Sequence, residues 1–434
     1  MFKLATATVL LAACLATPAH ADPCALSASA ITRLQNTMRN GVPAMGSPMG
    51  RLRLPASLTL VDATGRPCTV STSPPNGGDV SADVGLGTGR LSAQEAKPTN
   101  SLGVAAPSLP LTASATLAGA ATQHRSRAID LGTFGGGFSI ANAINDRDEV
   151  VGNSALPDFT AHAFLWRNGT MQDLGTLGGS YSEARGINNH GQVVGIAYTA
   201  NEEAHAFLWE GGTMFDLGTL GGTFSIATAI NDEGQVVGGS ATAGDAELHA
   251  FIWSKLEGMK DMGSLGGGFS FVRGVNSRGQ AVGTSHNAAF QQHAFLWQRQ
   301  RGVDLGTLPG GSFADAAAIN SSGVVVGVAD TASFELHAFT FKQGTWTDLG
   351  SPVPGSTSEA LGINDDGEVV GAAYFNGGVD ARAVLWNRRG VPTDLNTLVG
   401  GDYSVGLAIN SKGHVAGGAR FAGSSEFHAF LLRR

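Results

Sequence analysis

Residues 181–219 read YSEARGINNHGQVVGIAYTANEEAHAFLWEGGTMFDLGT, and small variants of this stretch fill most of the chain. Short β-branched and aromatic runs alternate in it with clusters of Gly, Asn and Asp, a pattern typical of strands joined by tight turns. The stretch therefore predicts four strands, at 181–188, 192–198, 205–209 and 213–217. Gly191 falls where the first turn needs a positive φ.

Three short motifs mark seven copies of the stretch, at spacings of 43 to 46 residues. The aspartates of the Asp-Leu-Gly motif are Asp130, Asp173, Asp216, Asp261, Asp304, Asp348 and Asp394. The Ile-Asn asparagines are Asn145, Asn188, Asn231, Asn276, Asn320, Asn364 and Asn410. The His-Ala-Phe histidines are His162, His205, His249, His293, His337 and His428, with Arg382 in the sixth copy. Four strands per copy at this period predict an all-β fold, a seven-bladed β-propeller over residues 126–434.

The order of the strands at the two ends of the repeat predicts how the propeller closes. The repeat begins with a fourth strand, at 127–132, and ends with a third strand, at 428–434. In a closed ring the first of these would complete the last blade and remove two exposed strand edges. We therefore predict that Ile129 and Leu131 lie beside Phe430 and Leu432 in a composite blade.

The motif set DLGTLGG, INxxGxVVG and HAFLW resembles the HAF family of predicted extracellular repeat proteins. The resemblance covers residues 126–434, nearly three quarters of the chain. It implies export and a β-rich repeat fold, and it implies no enzymatic activity.

Residues 1–21 predict a secretory signal peptide with cleavage before Asp22, because a Lys precedes a short apolar run and Ala-His-Ala follows it. The apolar run is too short to span a bilayer. An alternative is a lipobox that would lipidate Cys14 and anchor a lipoprotein. Removal of Cys14 leaves Cys24 and Cys68 as an even pair, which favours cleavage and a Cys24–Cys68 disulfide. We expect an exported protein that is extracellular, periplasmic or on the cell surface.

Two segments precede the repeat. Residues 22–72 predict a small disulfide-bonded element, with helical periodicity at 25–38 and a strand-like alternation at 51–61. Residues 73–125 are rich in Ser, Pro, Gly and Ala with few aromatic residues, which predicts a flexible linker.

Composition and motifs narrow the classes of function. Only 14% of residues are charged and the formal net charge is −8, which disfavours nucleic acid and anionic membranes as partners. The sequence has no Walker loop, nucleophile elbow, HExxH or calcium-loop run. We therefore predict no catalytic constellation, no metal site and no cofactor.

Residues that recur in every copy are expected to be structural. Each His-Ala-Phe histidine is predicted to bond either the aspartate of its Asp-Leu-Gly turn or a serine such as Ser182. Aromatic residues that begin the first strands, such as Tyr181 and Tyr403, are predicted to pack between blades; the alternative is a platform for sugar rings.

Function is expected where the copies differ. Glu183, Arg185, Arg273, Asp315 and Glu359 interrupt the apolar pattern of the innermost strand, so they are candidate ligand-binding residues of the central channel or its mouth. The connections between second and third strands also vary, at 156–160, 199–203, 241–247, 285–291, 329–335, 374–380 and 420–426.

The favoured function is a monomeric binding or scaffold module that presents these loops to a protein or a glycan. One alternative is a hydrolase or lyase that uses Glu183, Asp315 and Glu359 at the channel mouth. The other is a purely structural cell-surface protein.

Overall fold

The computed structural model describes residues 57–61, 67–71, 128–352, 356–375, 380–396, 401–424 and 426–434. The chain divides into Met1–Ala120 and Ala121–Arg434. In the first part, Ser57–Val61 and Pro67–Ser71 pair as an antiparallel hairpin. The predictions for residues 1–21 and 73–125, for the helix at 25–38 and for the Cys24–Cys68 disulfide concern residues or side chains outside this description.

The second part is all-β across its described residues, apart from one short 3-10 helix at Ala243–Asp245. Its strands pair as successive antiparallel sets of four, numbered here units 1 to 7 in chain order of their first strands. The first strands are Ser139–Ile144, Gly178–Ile187, Gly221–Ile230, Gly266–Val275, Ala314–Ile319, Thr357–Ile363 and Ser404–Ile409. The second strands are Val150–Ala155, Val193–Thr199, Val236–Thr242, Ala281–Asn287, Val325–Asp330, Val369–Phe375 and Val415–Arg420.

The outer half of each unit is built from the remaining strands. The third strands are Ala161–Arg167, Ala204–Glu210, Leu248–Ser254, Gln292–Gln298, Leu336–Lys342, Asp380–Trp386 and Phe427–Leu432. The fourth strands are Thr170–Asp173, Thr213–Asp216, Gly258–Asp261, Arg301–Gly306, Thr345–Gly350, Pro392–Asp394 and, for unit 7, Ala128–Asp130. The predicted four-strand pattern is confirmed, and in unit 2 its boundaries agree within a few residues.

The second strands run further than the sequence predicted. The stretch 374–380 was expected to be a loop, but Tyr374 lies inside Val369–Phe375 and Asp380 begins the next strand. The alternation continues because Ala373 is buried in the core while its neighbour Tyr374 points to the other face.

The first strands form the innermost layer, each in contact with the first strand of the next unit, and unit 7 contacts unit 1. The seven Ile-Asn asparagines close this layer. Each donates from Nδ2 to the backbone carbonyl of the corresponding asparagine in the next unit, at 3.0–3.2 Å. The last bond runs from Asn410 back to Asn145. Because the cycle returns to its start, the units form a closed ring.

Each asparagine also supports its own hairpin. The Oδ1 atom of Asn188 accepts from the N–H groups of His190 and Gln192, and Gly191 completes this turn with φ +77°. In unit 1 the equivalent of Gly191 is Asp148, at φ +62°. As the sequence predicted, the turn accepts only residues that tolerate the left-handed region.

The strand at Ala128–Asp130 completes unit 7, as predicted, but Phe430 and Leu432 lie opposite Asp130 and Ala128 and not opposite Leu131 and Ile129. It pairs antiparallel with Phe427–Leu432, placing Ile129 opposite Leu431 and Ala128 opposite Leu432. The N–H of Leu131 then donates to the carbonyl of Ala429 at 2.9 Å. Both edges of the repeat are therefore paired with each other.

The core lies between adjacent units. Phe207 and Trp209 of unit 2 pack against Val151 and Leu165 of unit 1, and all four are buried. The glycine of each Val-Gly step lies against the first strand, where a Cβ on Gly195 would meet the Glu183 carbonyl oxygen at 1.9 Å. No helix in the described ranges is long and apolar enough to cross a bilayer.

Candidate functional site: the loop face

The two ends of the ring carry different connections. One end, the turn face, holds the turns between first and second strands and between third and fourth strands. The other end, the loop face, holds the connections from second to third strands and from each fourth strand to the next unit. This separation follows from the antiparallel order of strands within each unit.

Four second-to-third connections share one turn geometry. In unit 1 the N–H of Phe159 donates to the carbonyl of Leu156, and the N–H of Leu156 donates to that of Thr160, at 2.9 and 2.8 Å. Units 2, 4 and 5 repeat both bonds. The residue at the left-handed position of these turns is Phe159 (φ +67°), Glu202 (φ +61°), Phe290 (φ +59°) or Phe334 (φ +63°).

The three phenylalanines are strained and exposed at once. The first hairpin of each unit has the same pair of hydrogen bonds, and there Gly191 and its counterparts occupy the left-handed position. A residue with a Cβ loses about 1–2 kcal/mol there. The side chains do not recover this by packing, because Phe159, Phe290 and Phe334 are 70%, 73% and 67% exposed. The sequence indicates where these loops lie but does not indicate their strained backbone.

The candidate residues Glu183 and Arg185 form one cluster of the innermost layer. The Glu183 carboxylate accepts from Asn142 Nδ2 at 3.0 Å, from the Tyr181 hydroxyl at 2.9 Å and from the Arg185 guanidinium at 3.1 Å. Burial, reinforced by the nearby Glu183 charge, raises the pKa of Tyr181, so its hydroxyl remains a donor. The Arg185 Nε atom is buried with no hydrogen-bond partner.

Arg273, Asp315 and Glu359 form a second cluster, contributed by units 4, 5 and 6. Arg273 donates two parallel hydrogen bonds to the Asp315 carboxylate, at 3.0 and 2.8 Å. Glu359 accepts from the Tyr374 hydroxyl, and burial raises the pKa of its carboxyl although Arg273 acts in the opposite direction. The sequence does not indicate Tyr374 as a partner of Glu359, because it predicts a loop at 374–380.

The histidines and aspartates of the repeat meet on the loop face. In every unit with the histidine, Nδ1 lies 2.8–2.9 Å from a carboxylate oxygen of the Asp-Leu-Gly aspartate in the fourth strand. Arg382 contacts Asp394 at 3.0 Å in the same way. Ser182 bonds backbone groups and not the histidine. Its hydroxyl accepts from the N–H of Ala163 and donates to the Gly175 carbonyl, and these two bonds join units 1 and 2.

These pairs are only partly buried. The histidine side chains are 14–23% exposed and their aspartates about 40%. The Nε2 atoms of His249 and His428 also contact Glu247 and Glu426, at 2.9 and 3.1 Å. Among the described residues, no three or more His, Cys, Asp or Glu side chains are arranged to hold a metal ion.

The pair of His162 and Asp173 predicts a pH-dependent contribution to stability. The hydrogen bond that His162 donates to the Asp173 carboxylate raises the pKa of His162, partly opposed by burial. Burial disfavours the Asp173 carboxylate, but bonds from His162 and the Gly175 amide lower its pKa. The contribution is therefore complete between about pH 4 and pH 6.5, the ordinary pKa values of the two groups, and is lost above and below.

We expect His162→Gln to lower the melting temperature more at about pH 5 than at about pH 8. Differential scanning calorimetry would measure the melting temperatures, with His162→Gln introduced both into wild type and into the Asp173→Asn variant. In that background the effect of His162→Gln should no longer depend on pH. An equal effect of His162→Gln on wild type at both pH values would contradict the interpretation.

Comparisons with known proteins identify no family. No family model matches the chain. No curated protein matches it either.

Solved structures similar to this chain include three proteins. The β-propeller domain of the Trilobed protease from Pyrococcus furiosus has 8% identity and a TM-score of 0.47, covering 68% of this chain and 93% of that one. YCF48 bound to D1 peptide has 12% identity and a TM-score of 0.47, covering 71% and 97%. TolB from Acinetobacter baumannii has 11% identity and a TM-score of 0.41, covering 60% of this chain and 65% of TolB.

Likenesses at these identities and TM-scores carry no argument about function. The architecture is instead given by the chain's own strand pairing and by the closed asparagine cycle. On those observations, the second part of this chain is a β-propeller repeat protein.

Proposed function

We propose that this chain is an exported seven-bladed β-propeller of the HAF type that acts as a binding module for a protein, with the loop face as its contact surface. The pairing of Ala128–Asp130 with Phe427–Leu432 supports the count of blades. Export and a disulfide-bonded N-terminal element are part of the proposal and rest on the signal-peptide pattern and the cysteine count.

The observation that carries the proposal is the strain at Phe159, Phe290 and Phe334. Glycine occupies the left-handed position of the same turn elsewhere in this chain. Phenylalanine at this position in three loops therefore lowers the stability of those turns. Residues in strained backbone conformations cluster at ligand-binding and other functional sites. Aromatic side chains, phenylalanine included, are also enriched at protein interfaces relative to the rest of the surface.

The charged residues of the innermost layer favour binding over catalysis. Asp315 is paired with Arg273, Glu183 accepts from three donors and Glu359 accepts from Tyr374, so all three carboxylates already have fixed protein partners. Fixed pairs of this kind stiffen a scaffold, whereas acid–base catalysis needs groups that change protonation state.

A peptide-display selection on the purified chain would test the proposal. We expect enriched peptides to bind wild type and to lose at least about tenfold in affinity for the triple variant Phe159→Gly, Phe290→Gly, Phe334→Gly. The same variant should keep its unfolding free energy or gain up to about 1 kcal/mol per site, because glycine relieves the strain. Loss of binding would then not be caused by unfolding.

Leu256→Gly is the matched control. Leu256 is 94% exposed and lies in the third-to-fourth connection of unit 3, on the turn face, so its removal should leave binding unchanged. The proposal fails if no peptide is enriched, or if the enriched peptides bind the triple variant as tightly as wild type.

A further inference from the structure

Basic side chains are unevenly distributed between the two faces of the ring. The sequence has no Lys or Arg in any second-to-third connection or in any connection from a fourth strand to the next unit. The same connections carry carboxylates in units 1, 2, 3, 5 and 7, among them Glu203, Glu335 and Glu426. The Asp-Leu-Gly aspartates add further carboxylates to this face, such as Asp130 and Asp261, whose side chains are 42% and 44% exposed.

The turn face has the opposite character at its outer edge. Of the six turns that join a third strand to a fourth, all except that of unit 2 begin with or contain a cation: Arg167, Lys255, Arg299, Lys342 and Arg388. Arg433 follows the third strand of unit 7 at the same end of the ring. Near the loop face, Arg382 and Arg420 are each paired with a carboxylate, Asp394 and Asp402. The turn face also carries carboxylates, such as Asp232, Glu233 and Asp366, but there they are mixed with cations. The loop-face connections carry carboxylates without Lys or Arg, so this face attracts cationic groups.

The negative charge and the exposed aromatic rings occupy the same connections. In unit 5 the exposed Phe334 directly precedes the exposed Glu335. A carboxylate beside an aromatic ring is suited to a guanidinium group, which bonds carboxylates with two N–H groups and stacks on aromatic faces. Nucleic acid and anionic lipid carry the wrong charge for this face.

We infer that the partner presents an extended, arginine-rich polypeptide segment to the loop face, where its guanidinium groups pair with the loop carboxylates and stack on Phe159, Phe290 and Phe334. This inference rests on the proposed binding function and names the chemistry of its partner. Pairing of exposed charges makes the interaction weaken as salt concentration rises.

Three synthetic peptides provide the test, with the repeating sequences Arg-Ser-Leu, citrulline-Ser-Leu and Glu-Ser-Leu. Citrulline keeps the shape of arginine without its charge. Fluorescence anisotropy with the full chain should give binding of the arginine peptide, at least about tenfold weaker binding of the citrulline peptide and no binding of the glutamate peptide. Affinity for the arginine peptide should fall between low and high sodium chloride.

A matched pair of double variants tests where the charge acts. Glu203→Gln with Glu335→Gln removes two exposed carboxylates from the loop face and should weaken the arginine peptide by about three- to tenfold. Glu233→Gln with Glu257→Gln removes two exposed carboxylates from the turn face and should leave its affinity unchanged. All four substitutions are at exposed positions, so folding is not at risk.

The outcomes separate the inference from the proposed function. If peptides enriched by display bind through the three phenylalanines but lack Arg and Lys, the inference is wrong and the binding function stands. Equal affinity for the arginine and citrulline peptides, or equal effects of the two double variants, also overturns the inference. If neither the library nor the arginine peptide binds, both are wrong.

Discussion

Replacing Asn188 by Asp is expected to lower the free energy of unfolding by about 3–5 kcal/mol, although the two side chains have the same shape. Asn188 is 3% exposed, and its Nδ2 donates to the Asn231 carbonyl and to Gln192 Oε1, at 3.0 and 2.6 Å. A carboxylate would place a buried negative oxygen against two acceptors. One link of the asparagine cycle would then become repulsive.

The pH dependence of the variant identifies the cause. Burial beside two acceptors raises the pKa of the introduced carboxyl above its ordinary value, so the penalty is complete at neutral pH. The penalty should shrink as pH falls through that raised pKa, because the neutral acid can donate to the Asn231 carbonyl.

Calorimetry at about pH 7 and about pH 5 would measure both effects. Asn201→Asp is the control, since Asn201 lies exposed in the second-to-third connection of unit 2 and should change stability by less than about 0.5 kcal/mol. If Asn188→Asp is as stable as the Asn201→Asp control, the asparagine cycle does not hold the ring together.

Deletion of residues 126–133 is expected to have the second large effect. It removes the strand Ala128–Asp130 and leaves the outer edge of Phe427–Leu432 unpaired. It also removes Leu131, which is 7% exposed and packs with Phe164 and Leu431 between units 1 and 7, a burial that contributes about 1.5–3 kcal/mol. An unpaired strand edge with apolar side chains favours association with other chains.

Size-exclusion chromatography and light scattering should therefore find the shortened chain aggregated. Deletion of residues 22–120 is the comparison, and it should leave the ring monomeric and its melting temperature within a few degrees of wild type. A monomeric, stable product of the 126–133 deletion would contradict the role of this strand.

Much of this architecture follows from local rules. Gly191 and its counterparts indicate a turn with a left-handed residue. Asp148, which stands at this position in unit 1, agrees with the same rule. The short apolar runs between such turns predict strands, and the strand types at the two ends predict how the ring closes. Each of these features depends on residues close together in the sequence or on the order of strands alone.

The features that local rules do not give depend on contacts between units. Arg273 and Asp315 come from successive first strands, and only the register between neighbouring units brings them together. Tyr374 falls in the variable stretch 374–380 that the sequence predicts as a loop, while its partner Glu359 lies on the adjacent strand.

The strain at Phe159 could not be predicted at all. Local preference places phenylalanine in extended backbone, and the left-handed position is visible only when the turn is seen.

Closure of the ring is the claim on which the loop face and its partner depend, and a disulfide test addresses it most directly. Ala128 and Leu432 lie opposite each other in the antiparallel ladder, where Cα atoms are about 4.5–5.5 Å apart, within the range that a disulfide spans. The double variant Ala128→Cys, Leu432→Cys would be oxidised and digested without reduction. The single variant Ala128→Cys controls for pairing with Cys24 or Cys68. The closed ring predicts one intramolecular link between the peptides that contain positions 128 and 432. Free thiols at both positions, or links only between separate chains, would contradict it.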